Sequence, residues 1–366
     1  VVTAALAEGV DWRLAQELCR RHRITALFVE GLNFHGIGSP EPFCTQMKNT
    51  AQREALRELG MLQELQRLLS LMDGAGLRVQ LLKGLGLSYT AYGRLGLRYN
   101  RDIDLLVGPE EAPAAMAVLT KAGYAVAEPA GFVGDRLPDG WMDNRKDVTL
   151  VNRVTGDIVE LHWRLFTNPT LASRCSSEAV LVTLPGAVHT VMLEPEANFI
   201  FLCVHGAEHA WSRLKWLLDV HAIAAALPTT QLEAFYRSAK ARGVHRSVAQ
   251  AFVLMDRLFG LPTPPSVRRD YRFDLRVRAL VFISRRTMMR GGAREIEELP
   301  FGSTLKAVGR YLILSGAKSL KEQVLFDLYH NSHERGGPGG QSLHHVIGSR
   351  VWRWAGANMR RRRSGS

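Results

Sequence analysis

A chain of 366 residues with 46% hydrophobic and 22% charged residues is too long for one small core and too apolar to remain unfolded, so two or more packed units are expected. Its formal charge of +12 favours an anionic partner, whether nucleotide, nucleic acid or acidic surface. The four cysteines, Cys19, Cys44, Cys175 and Cys203, have no Cys-x-x-Cys spacing, which speaks against a zinc knuckle or redox pair. With no apolar run of membrane-span length and no signal-peptide pattern, they read as reduced thiols of a cytoplasmic protein.

Apolar residues recur at helical spacing from Asp11 to about Glu30, and a Gly/Pro break follows at 36–40. Thr50 is a candidate cap for a longer helix with the stripe Leu56, Leu59, Leu62, Leu65, Leu69 and Met72, ending at Gly74 to Gly76. These N-terminal helices, residues 1–75, are expected to pack beside a sheet and carry no chemistry of their own.

Residues 77–107 read as strand, turn, helix, strand. A short apolar run ends at Lys83-Gly84, a helix-capable segment follows, and Arg101-Asp102-Ile103-Asp104-Leu105-Leu106-Val107 carries two carboxylates two residues apart. Strand alternation puts Asp102 and Asp104 on one face and Ile103, Leu105 and Val107 on the other. At about 6.5–7 Å between their Cα atoms, the two carboxylates can converge on one cation; a solvated strand end is the simpler alternative. Arg94, Arg98 and Arg101 precede them in a Gly-rich segment that could close over phosphates or be an ordinary basic loop.

A helix from Ala112 to Lys121 with Gly123 as its cap, a strand from Tyr124 to Ala127 and a Gly/Pro/Asp-rich loop at 128–140 come next. Lys146–Val151 and Asp157–Trp163 then form a hairpin pair. In its second arm Ile158, Glu160 and His162 share one face, while Val159, Leu161 and Trp163 share the other. If that strand lies beside the Asp102/Asp104 strand, three carboxylates meet. Glu160 could equally be an edge-strand residue, with His162 a satisfied polar neighbour.

From Pro195 the pattern is helical, with candidate helices at 195–210, 212–227, 231–242, 244–260, 273–290 and between 303 and 333, and a Pro-rich break at 261–265. His205-Gly206-Ala207-Glu208-His209 fits the His-x-x-Glu-His pattern of inverted zinc peptidases, with Glu295 or Glu298 as candidate third ligands. Lys215 and Asp219 are spaced as an i,i+4 pair, and Trp211 and Trp216 suit a core or cleft wall better than base stacking. The Gly-rich and basic end, 332–366 with Arg360–Arg363, reads as a partly disordered arm.

Lys83-Gly84, the helix after it, the Arg101–Val107 segment, Glu160-Leu161-His162-Trp163 and the continuation Leu214-Lys215-Trp216-Leu217-Leu218-Asp219 together resemble a large, mostly uncharacterised bacterial nucleotidyltransferase family. That family belongs to the DNA polymerase β-like superfamily, and the resemblance spans about residues 50 to 225. It implies an α+β fold: a mixed nucleotidyltransferase sheet at 76–193 with flanking helices, N-terminal helices, and a C-terminal helical domain at 194–331. It further implies transfer of a nucleoside monophosphate from a nucleoside triphosphate with two Mg²⁺ (or Mn²⁺) ions and release of pyrophosphate. Asp102, Asp104 and Glu160 would be the metal-binding and catalytic carboxylates. Lys83, Gly84, Arg98 and Arg101 would receive phosphate. His162, His205, His209, Lys215 and Asp219 would line the cleft, with His162 beside the metals rather than on them.

Where the superfamily has Gly-Ser or Gly-Gly, this chain has Gly84-Leu85, so Lys83 would supply the missing phosphate contact as a point charge. That departure keeps a second reading open, a non-catalytic binder of nucleotide or protein. With no nucleic-acid-binding module, a small molecule or peptide is the favoured acceptor and a long polynucleotide is disfavoured. Nothing in the sequence fixes the oligomeric state.

Overall fold

The computed structural model describes residues 9–128, 137, 141–172, 178–289, 295–296 and 302–333. The loop expected at 128–140 lies almost wholly outside them, as do Cys175, Glu298 and, beyond His333, the Gly-rich and basic end.

The fold is α+β, built on one mixed seven-stranded sheet. Helices α1 (Trp12–His22), α2 (Thr25–Phe34) and α3 (Phe43–Gly74) come first. The sheet region follows as β1 (Gln80–Leu81), α4 (Gly84–Tyr92), β2 (Ile103–Leu106), α5 (Ala112–Lys121), β3 (Tyr124–Glu128), α6 (Trp141–Asn144), β4 (Asp147–Asn152), β5 (Ile158–His162), α7 (Pro169–Ala172), β6 (Ala179–Leu184) and β7 (Val188–Leu193). Strand order is β3-β4-β5-β2-β1-β7-β6, with β2 parallel to β5, β1 parallel to β7 and every other pairing antiparallel.

All four residues of β2 are buried because the sheet is covered on both faces. Ile103, Leu105 and Val107, with Val159 and Leu161 of β5, pack on Met61, Leu65, Leu68 and Met72 of α3 and on α5. Leu106 points the opposite way, into a second cluster with Leu82, Leu193 and the C-terminal helices. Those helices are α8 (Pro195–Glu208), α9 (Leu214–Ala225), α10 (Thr229–Ala241), α11 (His245–Phe259), α12 (Pro265–Phe273), α13 (Leu275–Met289), α14 (Gly302–Leu312) and α15 (Ala317–His333). The second cluster therefore runs through the boundary expected at 193/194 without a break, joining sheet and helices in one core.

Several local expectations need correction. The long helix starts at Phe43, and Thr50 sits inside it with its hydroxyl donating to the Gln46 carbonyl at 2.9 Å. Leu56 and Leu59 are exposed, and the buried stripe is Met61, Leu62, Leu65, Leu68 and Met72. The continuous helical pattern from Asp11 to Glu30 is two helices broken at Arg23, whose φ is 57°. The hairpin β6–β7 was not foreseen, nor was α12, which Pro265 opens at its first turn. No helix among the described residues is long and apolar enough to cross a membrane.

Candidate active site

Parallel pairing of β2 with β5 sets Asp104 directly across from Glu160 and Leu106 across from His162. The antiparallel hairpin adds Asp147 across from His162 on the far side. Period-two alternation then sends Asp104, Glu160 and His162 to the same face, the one toward the C-terminal helices.

His162 Nε2 stands 3.3 Å from Asp104 Oδ1 and 3.5 Å from Glu160 Oε2. Lys83, at the turn from β1 into α4, brings Nζ to 2.7 Å from Asp104 Oδ1 and 3.9 Å from Glu160 Oε2. Behind the histidine, Nδ1 lies 3.6 Å from Asp147 Oδ2 and 3.5 Å from Lys146 Nζ, and Lys146 also donates to Asp147. Burial disfavours each of these charges, yet their partners outweigh it. Lys83 is raised by Asp104 and Glu160; Asp104 is lowered by Lys83 and His162; Asp147 is held at about 2 by Lys146 and His162. His162 is raised, since its hydrogen bonds to Asp104 and Glu160 overcome burial and the Lys146 charge.

Asp104, Glu160 and His162 form the one group among the described residues whose ligand atoms gather closely enough to hold a metal, all within 4.8 Å of one another. Asp104 Oδ2 is buried and has no hydrogen-bond partner. A buried carboxylate oxygen with nothing to accept from is costly, and a divalent cation with hard oxygen ligands satisfies it. The donor set therefore fits such an ion.

The other expected site residues divide. Asp102 lies just before β2 and outside that group, with its carboxylate 3.8 Å from Arg101 Nε, although its charge bears on both Lys83 and Asp104. Arg101 is 45% exposed and available to a ligand. Gly84 opens α4 with φ +61°, a backbone state that side chains rarely adopt, so the turn depends on glycine there.

Arg98 corrects the picture of a basic loop closing on phosphate. It is buried and gives two hydrogen bonds to Asp219, 2.9 and 3.0 Å, and a third to Asn100, which leaves it no role in gripping phosphate. Asp219 takes its remaining bond from the Tyr92 hydroxyl at 2.9 Å, while Lys215 donates to the Tyr99 carbonyl at 3.0 Å. The i,i+4 spacing of Lys215 and Asp219 thus serves two different anchors for the segment before β2 instead of a pair.

His205 and His209 are stacked one turn apart, with ring centroids 4.7 Å from each other and 5.6 and 5.0 Å from Trp216. Burial pushes both imidazoles well below their usual range, and the Lys83 and Lys146 charges add to this. No third metal ligand joins them among the described residues, and Glu295 instead pairs with Arg213 at 3.1 Å. The zinc-peptidase arrangement is therefore not formed there. Trp211 is fully buried, so it is core.

Sequence reasoning passed over Lys146 and Asp147. Their signal was the hairpin itself: once Thr149 is registered on Glu160, Asp147 must face His162. It also missed Glu58, buried in α3, which accepts hydrogen bonds from Ser88, Asn100 and the Gly96 amide. No local pattern announces that contact.

A mixed sheet that faces two carboxylates across parallel strands, with a helix N-terminus beside them, is the frame of a nucleotidyltransferase. The chain belongs to the family described as uncharacterised nucleotidyltransferase, whose sequence pattern matches residues 8–260. Among solved structures, that of ANT(2")-Ia in complex with adenylyl-2"-tobramycin is similar over 50% of this chain and 98% of its own, at 13% identity and a TM-score of 0.35. That likeness is too distant to transfer a role to any residue. No protein of curated function matches the chain significantly.

Proposed function

We propose that the protein transfers a nucleoside monophosphate from a nucleoside triphosphate to a hydroxyl of a small-molecule or peptide acceptor, releasing pyrophosphate, in the cytoplasm. The observation that carries this reading is the Asp104–Glu160 register, with Asp104 Oδ2 left without a partner.

Asp104, Glu160 and Asp102 would hold two Mg²⁺ or Mn²⁺ ions, which when bound favour the acceptor alkoxide and neutralise the triphosphate and its leaving group. Glu160, only partly buried, would take the proton of the acceptor hydroxyl as its oxygen bonds to the α-phosphorus and the bond to pyrophosphate breaks. His162 touches both carboxylates and fixes their orientation. The first amides of α4, opened by Gly84, face an anion favourably, and Arg101 is exposed enough to reach the phosphates. His205, His209 and Trp216, whose rings pack together, would offer an acceptor an uncharged aromatic wall.

Pyrophosphate release, followed with each nucleoside triphosphate and Mg²⁺ across hydroxyl-bearing small molecules and peptides, tests the reading. Turnover lost in Asp104→Asn supports it. A non-catalytic binder, the second reading, has one observation in its favour: the acidic pair already holds the Lys83 ammonium. Nucleotide binding without turnover on any acceptor would establish it instead.

A further inference from the structure

The two lysines of the site are placed differently. Lys146 is matched to its own carboxylate, Asp147, at the edge of the centre. Among the described residues Lys83 contacts the two carboxylates that would hold metal, at 2.7 and 3.9 Å, and forms no other hydrogen bond or ion pair. Its ammonium reaches both carboxylates at once through Asp104 Oδ1 and Glu160 Oε2, while Asp104 Oδ2 has no hydrogen-bond partner. His162 Nε2 reaches the same two oxygens, at 3.3 and 3.5 Å.

We propose, building on the metal-dependent reaction above, that Lys83 is the resident cation of the Asp104–Glu160 pair and must swing out of it before a divalent ion can bridge them. Backbone pairing fixes the two carboxylates across neighbouring strands, about 4.8 Å apart at the Cα level, so they need a cation between them when ionised. An ammonium and a divalent ion held by the same two carboxylates repel each other, so each weakens the binding of the other. Lys83 leaves more readily where another anion receives it.

The chain places that anion's site next to it. Lys83 is the residue immediately before the N-terminus of α4, where unpaired amides and the positive helix end favour a triphosphate. Nucleotide thus gives the ammonium a new partner as the carboxylates gain a new cation. Metal alone binds poorly, metal with nucleotide binds well, and the coupling is reciprocal. Such coupling keeps the carboxylates neutralised between turnovers and admits the ion together with its substrate. It also gives the Lys83-Gly84-Leu85 turn, which lacks the superfamily's serine, a function of its own.

The test is Mn²⁺ binding to the whole chain, followed by electron paramagnetic resonance with and without a non-hydrolysable triphosphate analogue. Wild type, Lys83→Met, Lys83→Gln and the charge-keeping Lys83→Arg are compared. Without nucleotide, Met and Gln variants are expected to bind Mn²⁺ at least tenfold more tightly than wild type and Arg not at all more tightly; the gain in affinity on adding nucleotide should shrink in Met and Gln. Equal Mn²⁺ affinity in wild type and both neutral variants overturns the inference while leaving the proposed reaction standing. Absence of Mn²⁺ binding in every protein, with nucleotide present, overturns both. Thermal unfolding guards against a variant that folds poorly: Mn²⁺ should raise the melting temperature of Lys83→Met and Lys83→Gln more than that of wild type, and an equal rise counts against the inference.

Discussion

Arg98 and Asp219, 121 residues apart in sequence, meet in a paired-nitrogen contact of 2.9 and 3.0 Å, with side chains 3% and 1% exposed. The contact ties the segment before β2 to α9, and Tyr92 and Asn100 complete it. Two charges taken so far out of water are stable only while both are present.

Removing one partner of that pair should therefore cost far more than a surface ion pair. Arg98→Ala or Asp219→Ala is expected to lower stability by about 3–5 kcal/mol. Urea unfolding followed by circular dichroism checks this, and a loss below about 1 kcal/mol would mean that water reaches the pair.

Asp104→Asn retains the shape of the side chain and removes a charge on which Lys83 and His162 both depend. Several kcal/mol of lost charge stabilisation corresponds to roughly a thousandfold or greater fall in pyrophosphate release. Circular dichroism should show the fold retained. Activity within tenfold of wild type would remove Asp104 from the site.

Gly206 faces the Trp211 ring so closely that an added Cβ would lie 2.4 Å from a ring carbon. Trp211 is fully buried and has φ 48°, so it has little room to retreat. Gly206→Ala is expected to destabilise by about 1–3 kcal/mol through overpacking, read as a lower urea midpoint with an unchanged slope.

Glu208 has its pKa pushed up to about 7 by burial, against the pull of Lys146, Arg310 and Lys306. The folded state then holds a proton that the unfolded chain releases near pH 4.5, so stability falls as pH rises from there to about 7 and is level beyond. Because Glu208 is only half-buried, the loss should be about 1–2 kcal/mol between pH 4.5 and 8, and Glu208→Gln should not show it. Unfolding free energies of both proteins at the two pH values decide the matter; parallel curves would refute it.

The zinc alternative has its own check. His205→Ala should leave the metal content of the purified protein unchanged, because His205 and His209 gather no third ligand among the described residues. Stoichiometric zinc that disappears in the variant would reverse this assignment.

Much of the sheet was legible because it is written locally. Alternation in Ile103–Val107 and Ile158–Trp163 separates the core-facing from the site-facing side chains, and both strands keep that division. Helix boundaries were legible where a glycine or proline enforces them, as at Gly74 and Pro195, and blurred where nothing does, as at Phe43. The surface leucines Leu56 and Leu59 continue a helical stripe as well as any core residue, and only the position of the neighbouring sheet tells them apart.

The sequence by itself determined the residue types, the faces of the strands and the carboxylate and imidazole of β5, because backbone geometry makes these short-range properties follow from order alone. Only the tertiary structure decided that β2 lies parallel to β5, that Lys83 reaches both Asp104 and Glu160, that Asp102 falls outside the close group of Asp104, Glu160 and His162, and that Arg98 is taken by Asp219. Those outcomes join residues tens to more than a hundred positions apart. They depend on which buried charges can be satisfied at once when helices close over the sheet, a condition that no window of sequence contains.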